Sequence, residues 1–210
     1  MVDFDDNLST TTKREKGGGV KVSSYFSDSS SLDTSCRKVV EVLADEQLKE
    51  FTFDGIRRKT GMHQEMLSRT LERLREGYFL IKTSTGYSVT NKLRLTDIES
   101  LEHDGEGRDP IQVGQILLPV DIEIHNVIDA LKRKWFSNLR WLGYSIIGER
   151  AILKWLTEDN QIQIEATFYD GSVQIQARSR CSELNPSIVA ANHLLTFILR
   201  VYEKQPRPRI

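Results

Sequence analysis

Between positions 57 and 82 the chain concentrates side chains that can hold an anion and read a hydrogen-bonding edge. Arg57, Arg58 and Lys59 form a run of three cations, His63, Gln64, Ser68, Arg69 and Arg73 follow, and Lys82 sits at the start of the polar loop Lys82-Thr83-Ser84-Thr85-Gly86. Guanidinium and ammonium groups grip phosphate oxygens, and the flat ends of Arg and Gln match the paired groups on guanine and adenine edges. Each such two-bond contact contributes about 1–3 kcal/mol of discrimination. The expected division of labour puts Arg57, Arg58, Lys59 and Lys82 near phosphates. His63, Gln64, Glu65, Ser68 and Arg69 would reach base edges, with Arg69 suited to guanine and Gln64 to adenine, and Arg73 would share their exposed face.

The same face carries Glu65, Glu72 and Glu76. Glu65 stands four residues before Arg69, a helical pairing worth about 0.2–0.5 kcal/mol. A solvated, self-paired helix or a protein-contacting one would show the same residues, so an interaction module stays open as an alternative. Other chemistry has weaker support. His63, His103, His125 and His193 share no ligand spacing, and Cys36 and Cys181, the two cysteines, supply neither a disulfide framework nor a zinc module. No Gly-rich phosphate loop, nucleophile elbow or HExxH helix occurs. Glu123, Glu165, Asp170 and His193 form no constellation, so an enzyme built on the C-terminal half is the weakest reading. No catalytic residue, metal or cofactor is expected, and Trp135, Trp141 and Trp155 read as packing residues.

The elements that must position these groups are legible from Ile56 to Phe79. A short helix, a turn centred on Gly61 and a second helix ending at Gly77 are expected, with Ile56 and Leu67 meeting across the bend. Leu67, Leu71 and Leu74 form one apolar seam, which sends Glu65, Arg69, Glu72, Arg73 and Glu76 to the opposite side. Tyr78–Ile81 and Tyr87–Val89 are β-prone runs around the polar loop. A preceding helix runs from near Ser35, its expected N-cap, to about Glu50, with Val39, Val40, Leu43 and Leu48 as apolar positions. Phe51-Thr52-Phe53 makes a short extended segment.

With Thr60-Gly61-Met62-His63, Ser68-Arg69-Thr70-Leu71, Leu74 and Gly77 in these places, residues of about Ser35 to Leu93 resemble a winged helix-turn-helix DNA-binding domain. The resemblance is to the prokaryotic and archaeal transcription-regulator type and covers little more than a quarter of the chain. It implies a recognition helix in the major groove, a wing beside the phosphates, and double-stranded DNA as partner.

Charge distribution agrees with a selective binder more than with a protein that coats nucleic acid. The 210 residues carry a net charge of -1, yet positions 35–93 hold eleven Lys/Arg against eight Asp/Glu, and positions 97–109 hold six acids and one Arg. Residues 1–34 are rich in Ser, Thr, Asp and Gly and offer too little apolar surface to offset the entropy of ordering them. Their Lys13-Arg14-Glu15-Lys16 cluster with Lys21 reads as a solvated tail. The expected organisation is a tail (1–34), a winged helix-turn-helix domain (35–96, with an amphipathic piece reaching toward Leu101), an acidic linker (97–113) and an α+β domain (114–205). No apolar run approaches the roughly 20 residues that span a bilayer, and the acidic N-terminus lacks the pattern of a signal peptide. A cytoplasmic location without membrane contact is expected.

The C-terminal half reads strand, helix, four strands, helix. Gln115–Leu118 is the first strand, and Asp121 is expected to cap a helix with Ile124, Val127, Ile128, Leu131 and Trp135 on one face. Lys132, Arg133 and Lys134 cluster near its C-terminus. Leu139–Ile147 and Ala151–Leu156 are joined around Gly148-Glu149-Arg150. Ile162–Tyr169 alternates strictly, and Asp170-Gly171 signals a two-residue hairpin. Closing that hairpin sets Phe168 opposite Val173, Ala166 opposite Ile175 and Ile164 opposite Ala177, and gives Gln163, Glu165, Thr167, Gln174, Gln176 and Arg178 to the other face. Asn185-Pro186 opens a final helix with Ile188, Ala191, Leu195, Ile198 and Tyr202 inward. In topology the order resembles one half of the TATA-binding-protein fold, with helices on one sheet face and the other face free. The fold class is therefore α+β, a winged helix-turn-helix followed by a helix-covered sheet, and the C-terminal domain is expected to form a homodimer or to sense a small-molecule or protein effector.

Overall fold

A computed structural model of the chain describes residues 33–93, 109–118, 123–180 and 185–204. The tail with its basic cluster, most of the acidic linker, the amphipathic piece beyond Leu93, and His103, Asp121 and Cys181 lie outside the described residues. Among the described residues the protein is a mixed α and β structure of five helices and one eight-stranded antiparallel sheet.

The N-terminal half contributes α1 (Thr34–Asp45), β1 (Glu50–Phe51), α2 (Phe53–Thr60), α3 (Gln64–Glu76), β2 (Leu80–Thr83) and β3 (Gly86–Val89). Asp33, rather than Ser35, caps α1: its carboxylate accepts from the Cys36 amide at 2.9 Å. A carboxylate two residues earlier satisfies the free helical N–H and leaves the Ser35 hydroxyl to the Met66 sulfur. Val39, Val40, Leu43 and Leu48 pack with Ile56, Leu67, Leu71 and Leu74 in one buried cluster.

The C-terminal half contributes β4 (Ile111–Leu117), α4 (Ile124–Leu131), β5 (Leu139–Ile147), β6 (Arg150–Thr157), β7 (Ile162–Tyr169), β8 (Ser172–Ser179) and α5 (Asn185–Glu203). The β7–β8 register sets Phe168 against Val173, Ala166 against Ile175 and Ile164 against Ala177, the pairs expected from the hairpin. Asp170 and Gly171 both have positive φ, as a tight two-residue turn between right-twisted strands requires. β4 starts at Ile111, four residues earlier than its sequence suggests, and pairs with β8 through a bulge between Gln112 and Gly114.

Two helix faces differ from expectation. α4 stops at Leu131, and Trp135 lies beyond it, exposed, with the Arg140 guanidinium over its ring. The turn back into β5 needs a bridge between Phe136 and Leu139, so Phe136 fills the apolar position, packed against Trp155 and stacked on Phe197. On α5 the inward residues are Ser187, Ala190, Ala191, Leu194 and Ile198. Ile188 points outward, because small residues let this helix sit close to the sheet where a larger face would hold it off. Trp141 and Trp155 meet edge to face in the core, and the Trp155 indole donates to the Lys134 carbonyl at 3.1 Å.

The largest departure concerns the second sheet face, which is not free. The strand order is β2-β3-β1-β5-β6-β7-β8-β4, so β1 joins the hairpin of the N-terminal half to the sheet of the C-terminal half. β1 pairs with β5 through Glu50 opposite Tyr144 and Phe51 opposite Gly143. A bulge between Trp141 and Gly143 turns Leu142 into the N-terminal cluster, where Leu156 joins it. α2 packs over β5 and β6 on the polar face.

Candidate nucleic-acid interface

The bend between α2 and α3 is fixed by short-range hydrogen bonds. Thr52 caps α2 by accepting from the Gly55 amide at 3.2 Å. Gly61 ends the helix at φ 65°, a left-handed conformation that glycine adopts without strain, and its amide donates to the Arg57 carbonyl at 2.9 Å. The buried Thr60 hydroxyl donates to the Ile56 carbonyl at 2.8 Å and accepts from the Met62 amide at 3.3 Å. Thr60 thus sets the direction in which α3 leaves the turn. Leu67, Leu71 and Leu74 hold α3 inward, and Thr70 completes its buried face with a hydrogen bond to the Met66 carbonyl.

This arrangement leaves Gln64, Glu65, Ser68, Arg69, Glu72, Arg73 and Glu76 exposed on α3. His63 occupies its N-cap position, and the imidazole makes no capping hydrogen bond. Arg57, Arg58, Gly61, Met62, His63 and Gln64 line a shallow depression of about 370 Å³ at the turn. A second one beside it is lined by His63, Glu65, Met66, Arg69 and Arg73. Lys82 projects from β2 on the exposed side of the hairpin, close enough to Glu72 to favour its charged form.

Each arginine of α3 already has an acid. Arg69 meets Glu65 at 2.5 Å, both well exposed. Arg73 reaches Asp33, whose carboxyl is held below its ordinary range by the Cys36 amide first and by Arg73 next. Arg75 pairs with Glu72 and holds that carboxyl low by a direct hydrogen bond. On α2, Arg57 meets Asp54 at 3.2 Å. Arg58 is half-buried, its Nη1 enclosed without a partner, and burial pulls its pKa below the ordinary guanidinium value. Burial and the Asp33 carboxylate push the Cys36 thiol up to about 11, so it stays protonated within the helix packing.

Lys59 does not join this surface, contrary to its expected phosphate contact. Its ammonium turns inward to Glu46 at 2.5 Å and donates to the Gln163 amide oxygen at 2.7 Å. Helical geometry is consistent with the change, since Lys59 stands two residues, about 200°, from Arg57 and three from the buried Ile56, whose inward side it shares, here toward β6 and β7. Arg57, Arg58, His63, Gln64, Ser68, Arg69, Arg73 and Lys82 remain on the outer side of α2, α3 and the hairpin.

The group that Lys59 joins had no counterpart among the expected site residues. Glu46, at the end of α1, meets Lys154 of β6 at 2.8 Å and accepts from Gln163 at 2.8 Å. Gln163 also donates to Glu165, which lies 3.5 Å from Lys154 and 3.8 Å from Arg178. Burial alone would raise the Glu46 carboxyl, but the Lys154 and Lys59 ammonium groups outweigh it and hold the carboxyl far below its ordinary range. Burial likewise works against the Lys154 charge, and the Glu46 and Glu165 carboxylates raise its pKa above the ordinary lysine value. The visible signal was Lys154 itself, a cation inside the apolar strand Ala151–Leu156.

Among the described residues no cluster of three or more His, Cys, Asp or Glu could hold a metal ion, and no helix is long and apolar enough to cross a membrane. No protein-family model matches the chain, and no curated protein or solved structure matches it.

Proposed function

We propose that the N-terminal half is a winged helix-turn-helix that binds duplex DNA, with α3 in the major groove and the β2–β3 hairpin as the wing, in a regulator of transcription. The observation that carries this reading is the exposed face of α3, where Gln64, Ser68 and Arg69 lie beside Arg57 and Arg58 at the turn and Lys82 on the hairpin. Phosphate contacts from the flanking cations would set the register, and the central side chains would read bases. The C-terminal half would dimerise or sense an effector.

The Glu65–Arg69 pair does not oppose base contact by its energy. An exposed pair at this spacing contributes about 0.2–0.5 kcal/mol, and a two-bond contact to guanine contributes about 1–3 kcal/mol, so Arg69 is free to exchange partners. A different reading draws on the pairing of all three α3 arginines: the helix would then dock on a protein of the transcription machinery. Selection of duplexes from a random library separates the two. The DNA reading expects an enriched sequence, and Arg69→Ala should weaken binding to it by about 5-fold to 150-fold, as the loss of about 1–3 kcal/mol requires. Equal binding of all sequences, unchanged by Arg69→Ala, would sink the base-reading role.

A further inference from the structure

The sheet ends on β4, and among the described residues no strand pairs with its outer side. An open edge invites another strand, and proteins usually blunt one with lysine, proline or other charges. β4 has none of these: its seven residues read Ile-Gln-Val-Gly-Gln-Ile-Leu. Its first six residues form a near-palindrome centred between Val113 and Gly114. In a regular strand Ile111 and Ile116 would fall on opposite faces, being five residues apart. The bulge at Val113 brings them together: Ile111 pairs with Ala177 and Ile116 with Val173, both core positions, while Gln112 and Gln115 pair with Gln176 and Gln174 on the polar face. β4 therefore presents the same pattern read in either direction.

The flank of α5 beside this edge is apolar as well. Phe197 looks toward Phe136 and β6, so the side of α5 about 140–200° away looks past β4. Tyr202, Leu195, Ile188 and Leu199 lie there; Ile188 and Leu199 are exposed, and Leu195 and Tyr202 are half-buried. Arg200 and His193 fall elsewhere on the helix.

We infer that a second copy of this chain occupies this edge, with β4 pairing antiparallel to β4 across a two-fold axis and the α5 flanks packing on each other. A two-fold axis between Val113 and Gly114 sets Ile111 against Ile116 of the second copy and Gln112 against its Gln115. Such an interface is self-complementary, and it closes after two chains. The strand edge is about 23 Å long and α5 about 28 Å. Two layers of these lengths present a flat footprint on the order of 500 Å², which side-chain relief raises toward the roughly 800 Å² per partner of a stable interface. Continuing the sheet would also pair the outward N–H and C=O groups of β4.

This assignment rests on the C-terminal half serving assembly, one of the two roles proposed for it, and is tested without DNA so that its failure is separable from failure of the DNA reading. Light scattering of the full chain after size exclusion, at micromolar concentrations, is expected to give twice the 24.1 kDa chain mass. Gln112→Lys and, separately, Leu199→Glu should halve that mass while the circular dichroism melt stays cooperative. Should one variant fail to fold, the other still decides, since they lie on different elements. A wild-type monomer, an open-ended series of larger species, or a dimer that survives both substitutions would overturn the assignment.

Discussion

Replacing Glu46 with alanine is expected to destabilise the fold by about 3–5 kcal/mol, because it leaves the Lys154 and Lys59 ammonium groups enclosed with too little negative charge. Lys154 is fully surrounded and would retain only Glu165, at 3.5 Å. Glu46→Gln keeps the shape and separates loss of charge from loss of volume. The same carboxylate gives a pH dependence whose sign follows from its depressed pKa. An unfolded glutamate titrates near its ordinary 4.5, so the stabilisation is complete above that value and is lost as pH falls toward the lower folded pKa. Urea denaturation from neutral pH down through the carboxylate range should show wild type losing stability on acidification. Glu46→Gln, starting lower, should lose less over the same interval. Equal slopes for the two proteins would show that this cluster does not couple α1 and α2 to β6 and β7.

The second large effect is expected at Gly143. A Cβ there would lie 2.3 Å from the Glu50 carbonyl oxygen and 3.1 Å from the Phe51 Cα. Both are backbone atoms and cannot swing aside, so Gly143→Ala must part β1 from β5. Two hydrogen bonds bracket that point, from the Lys49 amide to the Tyr144 carbonyl at 2.9 Å and from the Thr52 amide to the Leu142 carbonyl at 3.1 Å. Overpacking of this kind costs about 1–3 kcal/mol and, against backbone, the upper end of that range or more. Hydrogen exchange should show Lys49 and Thr52 losing protection in the variant, together with a lower melting temperature. Unchanged protection at both amides would mean that the halves are not joined through this seam.

Local patterns carried much of the fold, and contacts between distant segments carried what the patterns missed. The seam of Leu67, Leu71 and Leu74 and the turn at Gly61 are legible because helix period and left-handed φ act within a few residues. The β7–β8 register is legible for the same reason, since Asp170-Gly171 fixes which residues face each other. The cover over Gln163 and Glu165 is not, because their partner Glu46 lies more than a hundred residues away, and alternation reports only that a face is polar. β1 is two residues long, too short for any periodic signal, yet it carries the join between the halves. Among the candidate interface residues, Gln64, Ser68, Arg69 and Arg73 could be placed by helical angle relative to Leu67. Lys59 could not, because what draws it inward is Glu46 on another helix.

β1 and the Glu46 cluster join the proposed DNA-binding half to the C-terminal sheet, while the outer side of α3 stays exposed. In the inferred dimer this join would relate the spacing of the two α3 helices to the position of the β4 edge, and with it the separation of DNA half-sites.

Duplex affinity measured as a function of salt is the most direct test of this account. If Arg57, Arg58, Arg73 and Lys82 each meet a phosphate, about four contacts per chain, the logarithm of the binding constant should fall with the logarithm of salt concentration with a slope of about −3 to −4 per chain. Substituting Arg57 and Lys82 together should flatten that slope by about two. No measurable binding to duplex DNA at low salt, or a slope that these substitutions leave unchanged, would contradict the assignment of this surface to DNA.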